Sequence, residues 1–230
     1  MRSRLSQHRY LLLFLFLPLW IGCSSSEVVF TSRGGQNPPP SDLDIQSLID
    51  RTPDGGTVRI PKAKYIFSDG LVISGRKGLR LECEPGSQIL VDDISADVIE
   101  IVDSREITIT GAFLRHLKPS KEYECHGDVV KLRDATGITI ENSELDGCGA
   151  IGLSAWQSSS ITLKNCLIAH NSFNALYLDG CEVVRIKDNV IQNNANLMQS
   201  YRSTDIEMSG NVIRNNGGYW EKPGKSGLQD

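Results

Sequence analysis

The residues with the most chemistry to offer recur at a nearly constant interval in the middle of the chain. Trp156 and Tyr177 supply aromatic faces, Lys131, Arg133 and Arg202 supply cations, and Glu100 and Asp179 supply carboxylates. Aromatic faces stack on the C–H surfaces of pyranose rings, and cations pair with uronate carboxylates. Glu100, Lys131, Ser154 and Tyr177 fall on one line of the interval, and Val102, Arg133, Trp156, Asp179 and Arg202 on the next. Residues 117–124 interrupt the interval just before this group, and Cys125, His126, Gly127 and Asp128 follow. A loop that breaks a strict repeat is a common place for function. It brings Tyr123, Glu124, His126 and Asp128 to the wall of the same face. His126 and Asp128 have the side chains of a general acid and base, with Lys131 and Arg133 close behind. Glycoside hydrolysis needs two carboxyl groups about the scissile bond. Asp128 supplies one and Asp179 or Glu124 is the candidate for the other, but no convincing pair emerges. The same residues also read as a solvated sheet face with ordinary charges, and the interruption as a tolerated surface insertion.

The interval comes from a repeat. Residues 107–114, 138–145, 161–168, 184–191 and 206–213 align without a gap, with starts 31, 23, 23 and 22 residues apart. Removing eight residues from the first interval makes it 23 as well. In each segment the first, third and eighth positions are apolar and the second and fourth mostly polar, which is the alternation of a half-buried strand. A preceding strand repeats too: Ile99, Val130, Leu153 and Leu176 stack, as do Ile101, Leu132, Ala155 and Leu178. A short strand after the turn makes about three per coil. One such coil buries too little to fold alone, whereas a stack of them shares a continuous core. The sixth position reads Ala112, Ser143, Cys166, Asn189, Asn211. The eleventh reads Asn171, Asn194, Asn216 in the later coils, with Cys148 and Cys125 before them. Stacked Asn side chains hydrogen-bond one another at such turns.

Cys125 and Cys148 therefore lie one coil apart, within disulfide reach by Cα distance. Parallel side chains make that geometry awkward, and a buried ladder of small side chains is the favoured reading. Besides Cys23 there are five cysteines, Cys83, Cys125, Cys148, Cys166 and Cys181, so one is left over from intrachain pairing. No Cys-x-x-Cys spacing or His pairing argues for a metal.

Residues 1–22 read as a targeting segment. Arg2, Arg4 and Arg9 precede an apolar run that is too short to span a bilayer. Trp20, Ile21, Gly22 and Cys23 resemble a bacterial lipoprotein signal, in which Cys23 becomes the lipidated N-terminus; an ordinary cleaved signal peptide is the alternative. Residues 23–40 are rich in Ser, Gly and Pro and read as a tether. Loss of the three arginines would take the net charge from -4 to -7, and no basic patch suggests nucleic acid. The expected location is the cell envelope, lipid-anchored, in the outer membrane or periplasm of a Gram-negative bacterium.

Residues 41–44 start a short helix, with Ser41 as cap and Asp44 reaching back. Ile45, Leu48 and Ile49 form its apolar face, and residues 53–56 end it. Residues 45–61, with Gly55, Gly56, Thr57, Val58 and Pro61, then residues 64–67 around Tyr65 and residues 71–73, resemble the opening of pectin-lyase-fold proteins. With the repeats, the resemblance covers residues 41–216. It implies an all-β right-handed parallel β-helix of about six coils, capped by the helix, over residues 41–220, with a polar tail at 221–230. Tyr219 and Trp220 are candidates to cover its C-terminal end.

In that fold group a polysaccharide groove runs along the outer face of one sheet, but members range from lyases, polygalacturonases, epimerases and esterases to non-catalytic proteins. Asp128 stands where polygalacturonases place a first Asp; Ile151 and Asn174 stand where the next catalytic residues would be. Arg185, Ile186 and Lys187 match a polygalacturonase triplet but lie in the wrong sheet. The leading expectation is a non-catalytic envelope protein binding polysaccharide through Glu124, Trp156, Tyr177, Asp179 and Arg202. One alternative is a lyase or epimerase of an acidic glycan using His126, Asp128, Lys131 and Arg133, to which Ca²⁺ would be added only in the lyase case. Another is a structural lipoprotein that binds protein.

Overall fold

The computed structural model describes residues 38–117, 125–147 and 149–217. Three parallel sheets wind around one core. The first stacks Thr57–Ile60, Arg80–Cys83, Thr108–Thr110, Thr139–Glu141, Ser159–Lys164, Glu182–Lys187 and Thr204–Ser209. The second stacks Lys64–Phe67, Gln88–Val91, Phe113–His116, Glu144–Asp146, Leu167–Ala169, Val190–Gln192 and Val212–Arg214. The third stacks Leu71–Ser74, Ile99–Val102, Val130–Arg133, Ile151–Trp156, Asn174–Asp179 and Met198–Tyr201. The expected right-handed parallel β-helix is therefore the fold, with seven coils instead of about six. The additional coil is the first. Thr57–Ile60 pairs residue for residue with Arg80–Cys83, so the opening strands are already a complete turn.

The register follows the gapless alignment. Thr108, Thr139, Thr162, Arg185 and Glu207 are successive partners. Ile109, Ile140, Leu163 and Ile186 run down the inside at 0% exposure. A one-residue slip would turn this apolar file to water, which is why the pattern fixes the pairing.

At the corners the chain turns through the left-handed region. Gly78, Glu106, Gly137, Ser160, Val183 and Asp205 occupy one such position in successive coils, with φ between 52 and 72 degrees. Asn side chains seal two other corners. Asn194 Nδ2 donates to Asn216 Oδ1 at 2.9 Å and to the carbonyl of Ile168 at 3.0 Å, while its Oδ1 accepts from Asn171 Nδ2 at 2.8 Å. Asn189 does the same with Asn211 and Leu163. These bonds satisfy buried carbonyls that the turn leaves unpaired.

The N-terminal end is closed by the helix Ile45–Arg51. It begins later than residues 41–44 suggested. Asp44 is the cap, accepting from Ser47 N at 2.9 Å, whereas Ser41 Oγ accepts from Leu43 N in a local turn. Ile45 and Ile49 bury into the core, and Leu48 packs at its margin. The fold also begins before residue 41. Lys64 N donates to Pro39 O and Ser41 N to Lys64 O, so Pro39 and Pro40 already lie along the second sheet and not in a free tether.

Cys125 is disulfide-bonded, against the favoured reading of a reduced ladder, and its partner lies outside the described residues. Cys83, Cys166 and Cys181 are buried thiols, and burial pushes the Cys83 thiol up to about 12. The targeting segment, Cys23, Tyr123, Glu124, Cys148, Tyr219, Trp220 and the tail also lie outside the described residues.

Candidate functional site

The third sheet turns alternate side chains outward. Leu153, Ala155, Leu176 and Leu178 enter the core, which leaves Ser154 and Trp156 on one strand, and Tyr177 and Asp179 on the next, facing out. Trp156, Tyr177 and Tyr201 form a continuous aromatic stripe over three coils. The Trp156 and Tyr177 ring centroids are 5.3 Å apart, and those of Tyr177 and Tyr201 are 5.9 Å apart, tilted by 40 and 46 degrees. Tyr201 is 52% exposed. Lys131 Nζ sits 5.7 Å from the Trp156 ring centroid, a cation–π distance.

Ion pairs between adjacent coils flank the stripe. Lys131 meets Asp97 at 3.0 Å, Arg133 meets Glu100 at 2.7 Å, and Arg202 grips both oxygens of Asp179 at 2.7 and 2.8 Å. The last is the bidentate fork that guanidinium and carboxylate favour.

Above the stripe lies a buried carboxyl. Residues 125–128 pack tightly on residues 94–97: His126 N and Gly127 N donate to Ile94 O at 3.0 and 3.1 Å. A Cβ on Gly127 would stand 2.0 Å from Ala96 O, so only glycine allows this approach. The packing sets Asp97 beside Asp128, whose backbone N donates to Asp97 Oδ1 at 2.7 Å. Asp128 is 5% exposed, and its Oδ2 accepts from the fully buried Ser154 Oγ at 2.5 Å. Burial pushes the Asp128 carboxyl up to about 7. The Ser154 hydrogen bond opposes that rise, and the Asp97 charge adds to it. The result is an acid poised to hold or give a proton near neutrality. Behind it His116, from the second sheet, donates through Nε2 to Ala96 O at 2.8 Å. Burial lowers the His116 pKa, which keeps that ring neutral.

Of the residues expected to act together, Lys131, Arg133, Trp156, Tyr177, Asp179 and Arg202 do share one face. His126 is exposed, and the Asp128 carboxyl bonds to Ser154 and not to His126. Glu124 lies outside the described residues. Arg202 reaches Asp179 from the corner after the strand; the rung opposite Asp179 is Tyr201. The last coil is one residue shorter, so counting on by 23 from Asp179 passes over the tyrosine. Asp97 was missed as well. It lies 31 residues before Asp128, the same offset as Ile99 to Val130, so the repeat did contain the signal. Arg185 and Lys187 lie in the first sheet, where they pair with Asp205 and Glu207. Among the described residues no group of three or more His, Cys, Asp or Glu side chains is arranged to hold a metal.

A second polar cluster crosses the corner after the second sheet. His170 Nδ1 lies 2.5 Å from Asp146 Oδ1, and Asn193 Nδ2 donates to His170 Nε2 at 3.3 Å. It links side chains of three successive coils.

No curated protein matches the chain. A solved structure from Parabacteroides merdae, of a protein provisionally described as a glycosyl hydrolase, superposes with a TM-score of 0.62 at 12% identity, covering 74% of this chain and 86% of that one. At that identity the likeness is one of fold. The family model for the right-handed β-helix region matches residues 86–226, more than half of the sequence, and the parallel coils over the same stretch agree with it; the chain belongs to the right-handed β-helix family.

Proposed function

We propose that the outer face of the third sheet binds a polysaccharide, with sugar rings stacked along Trp156, Tyr177 and Tyr201. The observation that carries this reading is the unbroken aromatic stripe over three consecutive coils. Trp156 and Tyr201 share one file of rungs with Asp179 between them and Tyr177 lies two residues back on its strand, so the rings zigzag along the stack with centroids 5.3 and 5.9 Å apart and offer an extended chain one ring per coil. Asp179 and Glu100, each held by an arginine, offer fixed acceptors for hydroxyl groups on either side. The fold likeness to a protein described as a glycosyl hydrolase points the same way. The test is affinity electrophoresis or a glycan array with wild type and Trp156→Ala. Loss of binding by tenfold or more in the variant is expected, and unchanged binding would remove the stripe from the ligand site.

A second reading adds catalysis, and the Asp128 carboxyl favours it. A buried acid, protonated near neutral pH and bonded to Ser154 beside the stripe, suits proton donation to a glycosidic oxygen. The residue pairings argue less well for a lyase built on Lys131 and Arg133, because both cations are already engaged. Incubating a bound oligosaccharide with wild type and Asp128→Asn separates the readings. Product from wild type alone supports catalysis, and binding without turnover leaves a binding protein. We further propose that lipidation at Cys23 anchors the domain in the cell envelope; Cys23→Ser would then release it from membranes on fractionation.

A further inference from the structure

This inference rests on the carbohydrate reading above and specifies its ligand: we propose that the glycan bound on the third sheet is uncharged. Cations along such a face would ordinarily mark it for uronates. Here each described cation of the face is closed onto a carboxylate of the preceding coil: Lys131 onto Asp97, Arg133 onto Glu100 and Arg202 onto Asp179. Three cations are balanced by three carboxylates, and the remaining acid, Asp128, adds no positive charge. The Arg202 pair engages both carboxylate oxygens through Nη2 and is joined there by Nε at 2.9 Å, so its Nε–Nη2 edge is taken. Arg133 likewise directs Nε and Nη2 to a single Glu100 oxygen at 2.8 and 2.7 Å.

A uronate arriving at this face meets no open Nε–Nη2 edge. To gain one it would have to displace Asp179 or Glu100 and leave that carboxylate beside its own negative charge. A neutral pyranose meets the same groups as fixed donors and acceptors for its hydroxyls and lays its C–H face on the rings. Lys131 contributes to Trp156 in the same sense, holding the ring from one side through its ammonium while Asp97 neutralises it. The pairs therefore fix the two ends of the stripe in place without creating an anion site.

The experiment uses the full chain and two panels of oligosaccharides matched in length. The neutral panel holds gluco-, xylo-, manno-, galacto- and N-acetylglucosamine series, and the charged panel holds galacturonate, glucuronate and mannuronate series. At least one neutral series is expected to bind at least tenfold more tightly than any charged one, with little dependence on salt. The double variant Asp179→Asn/Glu100→Gln, which frees both arginine forks, is expected to gain fivefold or more for a charged series, and that gain should fade as salt is raised. A charged series that binds the wild type as well as or better than every neutral one overturns the inference and leaves the carbohydrate reading standing. Binding to neither panel overturns both. Neutral binding that Trp156→Ala does not weaken overturns the assignment to this face.

Discussion

Asp128→Asn isolates the energetic consequence of burying an acid in the site. The carboxyl is pushed up to about 7 in the fold, against about 3.9 in an unfolded chain. Below pH 4 both states are protonated and the group costs nothing. From pH 4 to 7 the unfolded chain gives up its proton while the folded one keeps it. Stability therefore falls by about 1.4 kcal/mol per pH step, roughly 4 kcal/mol in all, and levels off above pH 7. An asparagine keeps an oxygen to accept from Ser154 and carries no charge. It removes the pH-dependent cost at a loss of about 1 kcal/mol from the altered hydrogen bond. The variant should therefore be about 2–3 kcal/mol more stable than wild type at pH 8, and equal or slightly less stable at pH 4. Urea unfolding of both proteins at the two pH values measures the difference directly. Equal effects at both pH values, or a destabilised variant at pH 8, would refute a buried acid titrating near 7 and with it the proton-donor reading.

Other perturbations probe the scaffold. Gly127→Ala forces a Cβ onto the carbonyl of Ala96; it should cost about 3 kcal/mol or more and weaken glycan binding, read by melting and by the array. Asn194→Ala deprives buried carbonyls and the Asn171 amide of their partners. Its expected cost is about 3–5 kcal/mol in chemical denaturation. Val183 is a β-branched residue at φ 57 degrees and 39% exposed; Val183→Asn should stabilise by about 1 kcal/mol in the same assay. Reducing the Cys125 disulfide should cost about 2–4 kcal/mol, seen as a lower urea midpoint with reductant than without.

The inward file was legible because its chemistry is coarse. Each coil must present apolar side chains at the same places, and Ile107, Ile138, Ile161, Val184 and Ile206 announce those places without ambiguity. The first coil was harder to count because its strands are separated by Pro61, the turn before Leu71 and the Gly75–Gly78 corner, which obscure the period. On the outside, chemistry depends on which neighbour a side chain chooses. Lys131 and Arg133 read as free cations in the sequence, but the coil beneath offers each a carboxylate within reach. Asp128 read as a partner for His126, but its carboxyl instead takes the hydroxyl of Ser154, which stands on the Lys131 rung of the next coil. Gly127 also lets the segment that carries it close onto residues 94–97. No local pattern carries that information. Tyr201 was lost to a single residue of coil length.

The constancy of register has a further consequence for the size of what the molecule can measure. Thr139, Thr162 and Arg185 meet rung for rung, so each coil presents to the next an outline like the one it received. Copying residues 151–173 in tandem would insert one more coil between neighbours that already fit it. The solenoid would grow by about 4.8 Å, with its ends unchanged and a second tryptophan in line with the first. On the carbohydrate reading proposed above, coil number would act as a gauge: three aromatic coils would set the ligand length at which affinity stops rising, and a lengthened chain should move that limit by one sugar.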